Sequence, residues 1–242
     1  MANTTALDRI HAIPGLYISD RFSARDQHLL ARHRISHILS VLRWEDLQSN
    51  RSPQCSSTAQ DITGPVIQRK QVEINDDETE DIVGRLTEMT DWIRDALTKL
   101  HPYENANQES TGNGSWGHTG GCVLVHCNQG ISRSGTVVVA YIMKSLSVPF
   151  VPALSLARVS RSLITPNNGF EYQLWLWERH GYDVFDRRVN GSSVTLVPNE
   201  AYGKFLDEIN DIFSFADEER ILLAKTYWSA EIKAKLIDLR RG

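Results

Sequence analysis

The chain has 242 residues, enough for one large globular domain or a domain with an appended piece. Its net charge of -4, with 23% charged residues, argues against a nucleic-acid groove or a polybasic membrane surface built on bulk positive charge, so any anion site must be local. Three cysteines, Cys55, Cys122 and Cys127, are too few and too unevenly spaced for a disulfide framework; with no signal-peptide pattern and no membrane-length apolar run, the expectation is a soluble protein of a reducing compartment, cytoplasmic or nuclear.

Taken in chain order, "GLYIS" after Pro14 and Gly15 is a short β-rich run, and "SARDQHLLARHR" has a serine cap at Ser23 with leucines at helical positions. "ISHILSVL" reads as a strand, the polar stretch 43–65 as a long loop, and "VIQRKQVEI" as a second alternating strand. From Thr79 the period changes: Ile82, Leu86, Met89, Ile93, Leu97 and Leu100 share one face of a helix. Thr79 is placed to cap it, with Glu80 and Asp81 complementing its dipole. "NANQESTGNGSWGHTGG" then reads as a mobile surface insertion, and the sequons at Asn113 and Asn190 are chance matches in polar loops.

"CVLVHC" has the length and continuous apolarity of a central strand, and "SGTVVVAYIMKSLS" those of a buried helix. An intervening strand would hold Cys122 and Cys127 roughly 16 Å apart at about 3.3 Å per residue. A disulfide tolerates less than about 7 Å. Pro149 and Pro152 open another helix, and "PNNGFEYQLWLWERHG" gives one more, stopped at Gly181. Strands and helices intermix over residues 8–182, which predicts an α/β sandwich. Residues 183–242 change character: Tyr202, Phe205, Ile209 and Ile212 form one amphipathic stripe and Ile221 to Leu239 another, so a helical C-terminal extension of two helices is expected. These helices either pack on the preceding domain or offer a surface for a partner or for self-association.

The chemistry concentrates in "HCNQGISRS". If Cys127 ends a strand and Ser134 begins a helix, the intervening amides converge on one concavity suited to phosphate, Gly130 supplies the turn, and Arg133 adds a planar fork matching two phosphate oxygens. The same positive field favours the thiolate of Cys127, a nucleophile that could attack phosphorus, with one carboxyl group serving as acid and then as base.

A histidine, cysteine, glycine, arginine and serine in this spacing resemble the H-C-x5-R-S motif of cysteine-dependent phosphatases, and within that superfamily the chain resembles the dual-specificity phosphatases. The resemblance covers roughly residues 10–182, including "IPGLYIS", "ISHILSVL", "HCNQGISRS", "VVVAYIM" and "PNNGFEYQL". It implies a central mixed sheet of about five strands flanked by helices and a protein phosphatase acting on phosphotyrosine, and on phosphoserine or phosphothreonine, through a phosphocysteine, with no cofactor or metal and a phosphoprotein as partner. It implies Cys127 as nucleophile, Arg133 as phosphate clamp, the amides of Asn128, Gln129, Gly130, Ile131, Ser132 and Arg133 as the cradle, and Ser134 as hydrogen-bond donor to the sulfur. His126 would tune the thiolate through backbone hydrogen bonds. In "PNNGF", Asn168 is the first choice to steady the phosphate loop and Asn167 the second, alongside a plain helix cap before Phe170.

"VEINDDETEDI" resembles the family's acid loop, where Asp76 fits the spacing best and Asp77 competes. His33 and His37 have a metal-ligand spacing but lack a third ligand. Arg158 and Arg161 either line the pocket or sit on a solvated helix face. "NQGISRS" also resembles the loop of the family's pseudophosphatase branch, which lacks the nucleophile; that keeps open a phosphate-binding module. The loop has no lysine of the kind that phosphoinositide phosphatases carry, which places protein substrates ahead of non-protein phosphomonoesters.

Overall fold

The structure is a computed structural model and describes residues 7–49, 67–98, 121–191, 193–215 and 217–241. Most of the two long polar stretches, with Cys55 and Asn113, lies outside the described residues. Strands β1 (Asp8–Arg9), β2 (Leu16–Ser19), β3 (Ile35–Leu42), β4 (Gln68–Glu73) and β5 (Cys122–His126) form one sheet in the order β1-β2-β5-β3-β4. β1 runs antiparallel to β2, and the other pairs are parallel. This is the expected mixed five-stranded sheet.

β3 is buried along its whole length because it lies between β5 and β4 with helices over both faces. β4 is the far edge and stays polar, with Lys70 paired to Glu88 of the covering helix. On one face a small cluster of Leu7, Ala24, Leu30, Ile35, Ile38 and Leu124 packs under α1 (Gln27–Arg32). On the other, the main core packs α3 (Val83–Thr98), α4 (Arg133–Leu146), α5 (Phe150–Ser160) and α6 (Asn168–Arg179) against the sheet. α4 is buried from Arg133 to Met143, which explains its near-continuous apolar sequence.

Several local expectations are corrected. α1 is capped by Asp26, whose carboxylate accepts from the amides of His28 and Leu29; Ser23 belongs to a separate 3-10 turn, Ser23–Arg25. The polar stretch after β3 opens as a helix, α2 (Trp44–Ser49), rather than as loop, with Glu45 and Asp46 in its first turn. Thr79 does not cap α3: its hydroxyl is spent on Asp77, and the helix starts later, where Gln173 Oε1 accepts from the amides of Ile82 and Val83 at 2.9 Å each and Asp81 accepts from Gly84.

The extension is not helical throughout. Strands β6 (Phe185–Asn190) and β7 (Ser193–Pro198) pair antiparallel, Asn190 opposite Ser193, ahead of α7 (Glu200–Phe213) and α8 (Glu218–Arg241). Tyr202, Phe205, Ile209, Trp228, Ile232 and Leu236 from these two helices join the main core cluster. Burying side chains of this size contributes about 1.5–3 kcal/mol each before entropy is counted, so the extension is packed as part of the domain. No single helix among the described residues is long and apolar enough to cross a membrane.

Candidate active site

The parallel strands end on one side of the sheet, and the loop that follows β5 lies there, the usual place for a ligand in an open α/β sheet. Cys127 leaves β5 and Arg133 starts α4, so residues 128–132 close a tight turn over the N-terminus of a long helix. Gly130 takes φ +70°, and a Cβ there would stand 2.5 Å from the Ser19 carbonyl oxygen at the end of β2. Both the backbone angle and the space restrict the position to glycine.

Cys127 is only 1% exposed and receives two hydrogen bonds at its sulfur, from the Gly130 amide and from Ser134 Oγ, both 3.2 Å. Two donors aimed at one sulfur stabilise negative charge on it. The thiol lies at a cavity of about 210 Å³ lined by Asp76, Asn128, Gln129, Ile131, Ser132 and Arg133. Arg133, 4% exposed, donates through Nη1 to the Ile74 carbonyl beyond β4 at 3.2 Å. Its Nε lies 3.5 Å from Asp76 Oδ2, close enough for ion pairing but without hydrogen-bond geometry, which leaves a buried cationic donor in the cavity lining, suited to an anion.

His126 stands beneath the loop. Its Nδ1 faces the Cys127 carbonyl at 3.2 Å and its Nε2 faces Ser40 Oγ at 2.7 Å. A carbonyl can only accept, so Nδ1 carries the proton and Nε2 accepts from the serine. Burial pushes the imidazole down to about 4, and the ring stays neutral at pH 7. It therefore acts on the loop through that backbone bond. Ser40, on β3, is a supporting residue that sequence reasoning misses: its partner is 86 positions away, and nothing local marks it.

Arg161 does not line the cavity. It is buried behind the turn, donating from Nε to the Gly130 carbonyl at 2.9 Å and from Nη2 to the Gln129 carbonyl at 3.1 Å, while Nη1 pairs with Asp8 at 2.5 Å. Holding two carbonyls outward keeps the corresponding stretch of amides inward. Arg158 instead donates to the Ile164 carbonyl.

Asp76 and Asp77 are separated by their partners. Asp76 Oδ1 accepts from Ser132 Oγ at 2.6 Å and from Asn167 Nδ2 at 3.0 Å, so its carboxylate, 36% exposed, stands on the cavity rim. Asp77 turns away to Thr79 and to Lys225 of α8, 2.8 Å from its Oδ2. Burial raises the Asp77 carboxyl, but the bonds from Lys225 and Thr79 outweigh it and hold the group below the ordinary carboxylate range.

The contact expected of Asn168 belongs to Asn167. Asn167 is the extended N-cap of α6: its Oδ1 accepts from Phe170, its amide donates to Ser132 Oγ, and its Nδ2 reaches Asp76. Asn168, already inside the helix, points instead to Glu78. The cap and the loop contact are thus one residue. His33 ends α1 against Tyr17 and His37 stacks edge-on with Trp92. Among the described residues no group of three or more histidine, cysteine or acidic side chains is arranged to hold a metal.

Residues 115–180 match the family model described as dual specificity phosphatase, catalytic domain. The chain is 32% identical over 170 residues to the dual specificity protein phosphatase MPK-4 of Drosophila melanogaster, covering 70% of this chain and 36% of that protein. It is 38% identical over 108 residues to the putative tyrosine phosphatase 123R of Invertebrate iridescent virus 6, covering 45% and 62%. The chain thus spans less than two thirds of the length of each of these two relatives. Among solved structures, the Yvh1 phosphatase domain from Chaetomium thermophilum superposes with a TM-score of 0.54 at 26% identity, over 74% of this chain and 99% of that one. With its five-stranded sheet and a thiol and an arginine at the two ends of the turn after β5, the chain resembles the dual-specificity phosphatases in sequence and in fold.

Proposed function

We propose that this chain hydrolyses phosphotyrosine, together with phosphoserine and phosphothreonine, in phosphoproteins through a phosphocysteine on Cys127. The observation that carries the reading is the double donation to Cys127 Sγ at the floor of a cavity whose other wall is the buried Arg133 guanidinium. In the first step the sulfur forms a bond to phosphorus and the ester P–O bond breaks. The leaving oxygen takes the proton of Asp76, which is the rim carboxyl able to face it. In the second, a water oxygen attacks the phosphocysteine, its proton passes to the Asp76 carboxylate, and the thiolate leaves with the Ser134 hydroxyl still donating to it.

Arg133 and the loop amides hold the equatorial phosphate oxygens through both steps. Because the reaction needs a reduced thiol, the reading places the protein in a reducing compartment such as the cytoplasm or nucleus. Hydrolysis of a phosphotyrosyl and a phosphoseryl peptide by the full chain, compared with Cys127→Ser, tests it. Release of phosphate from both peptides by the wild type alone is expected. A wild type that binds the peptides through Arg133 without turnover would instead make the chain a phosphate-binding module.

A further inference from the structure

The acid loop, residues 75–81, is gripped by the C-terminal extension as well as by the catalytic domain. Lys225 of α8 donates to Asp77 at 2.8 Å across 148 positions of sequence, and its ammonium also lies over the Phe213 ring at 5.4 Å. One turn further along α8, Ser229 hydrogen-bonds Glu78. From α7, Tyr202 donates to Asp81 at 2.6 Å. These three contacts are spread along the loop residues that follow Asp76.

The docking is built into the loop's own helix. A Cβ on Gly84, in the first turn of α3, would stand 2.0 Å from the Tyr202 hydroxyl oxygen and 2.8 Å from Asp81 Oδ2. A glycine inside a helix costs about 1 kcal/mol relative to alanine, and here its missing side chain is the space through which the extension reaches the acid loop. Tyr202, Phe205 and Trp228 behind these contacts are buried in the common core, so the grip is backed by packing rather than by solvated ion pairs alone.

We infer that the C-terminal extension positions the general acid: by fixing Asp77, Glu78 and Asp81 it sets the backbone from which the Asp76 carboxyl reaches the leaving oxygen. The inference rests on the phosphatase reading above and adds Lys225 and Tyr202 as positioning residues that never touch substrate. Lys225 has a second consequence: with its carboxylate committed to an ammonium, Asp77 is withdrawn from proton delivery, and the acid role falls on its neighbour alone.

Leaving-group dependence separates positioning of an acid from general loss of structure, because an acidic phenol leaves without protonation and a weakly acidic one does not. The full chain would be assayed as wild type, Lys225→Met, Lys225→Arg and Asp76→Asn against 2,4-dinitrophenyl phosphate and phenyl phosphate. Lys225→Met is expected to lose about tenfold in kcat/KM with phenyl phosphate and less than about twofold with the dinitrophenyl ester, Lys225→Arg to recover most of the loss, and Asp76→Asn to show the same pattern more deeply. Equal losses on both esters, or none, in Lys225→Met while Asp76→Asn keeps its selectivity would overturn the positioning role and leave the phosphatase reading intact. Absence of selectivity in Asp76→Asn would remove the acid itself, and both readings with it. Should Lys225→Met lose its cooperative unfolding transition, Tyr202→Phe carries the same test, with a selective loss of about threefold expected and an unselective result contradicting the inference.

Discussion

The phosphate loop and the acid loop meet over one cavity, yet they are built in opposite ways. The thiol's own hydrogen bonds are local: Cys127 takes them from Gly130 and Ser134, three and seven positions on, in a turn that one glycine and a helix start form and that Arg161 braces from behind. The acid loop is held from elsewhere: Asp76 by Ser132 and Asn167, Asp77 by Lys225, Glu78 by Asn168 and Ser229, and the end of the loop by Gln173 and Tyr202. In the proposed mechanism the nucleophile is thus specified by a short motif, whereas the acid is positioned by the fold.

The largest effects should come from the local half. Arg133→Lys replaces a fork with a point charge where two phosphate oxygens must be matched, and a loss of about 10³-fold in kcat/KM on a phosphotyrosyl peptide is expected, with the unfolding midpoint within a few degrees of wild type. Next is Gln173, whose buried amide accepts from Ile82 and Val83 and donates to the Glu80 carbonyl at 2.8 Å. Gln173→Leu strands the buried Val83 amide and leaves the Ile82 amide and the Glu80 carbonyl only their mutual 3.1 Å bond, and urea unfolding should register a loss of about 2 kcal/mol. If that variant keeps full activity on weakly acidic leaving groups, the acid loop does not depend on this distant support.

Asp76→Asn should cost about 10²-fold on a phosphoseryl peptide, and Asp77→Asn markedly less, since Asp77 faces Lys225 rather than the cavity. The reverse ranking would reassign the acid. The smallest effect concerns the frame of the phosphate loop. His126 has a folded pKa of about 4 against about 6.5 in the unfolded chain, so between these values the unfolded state binds the extra proton. Its contribution to stability is complete above that range and declines as pH falls toward about 4. Going from pH 7 to pH 5 should therefore remove about 2 kcal/mol that His126→Gln does not lose, read as the difference in urea midpoints at the two pH values.

The same contrast explains what is legible in the sequence. The strands β2 to β5, the buried helix after the turn, and the pairing of Cys127 with Arg133 depend on period and spacing within short segments, so residue order reveals them, whereas the five-stranded sheet and the bond from Ser134 to the sulfur follow from the family resemblance. Asn168 is ranked ahead of Asn167 because adjacent asparagines are alike in sequence; the fold separates them, since the extended N-cap Asn167 makes the loop contact as well as the cap. The hairpin of β6 and β7 does carry a local signal, since Asn190-Gly191 between alternating valine-containing runs favours a tight turn and Gly191 takes φ +64°; the helical stripes that follow outweigh it. Ser40, Gln173 and Lys225 have no local signal at all, each acting on a partner 86 to 148 positions away, and Arg161, a candidate in the sequence, finds its place behind the turn only in the fold. Only the fold brings them together.

The most direct test is to identify the phosphorylated atom. Wild-type enzyme mixed with an excess of phosphotyrosyl peptide, quenched in acid within the first turnover and mapped by peptide mass spectrometry should carry a phosphoryl group on the peptide containing Cys127, and Cys127→Ser should carry none. A phosphoryl group on any other residue, or full turnover by Cys127→Ser, would contradict nucleophilic catalysis at this thiol.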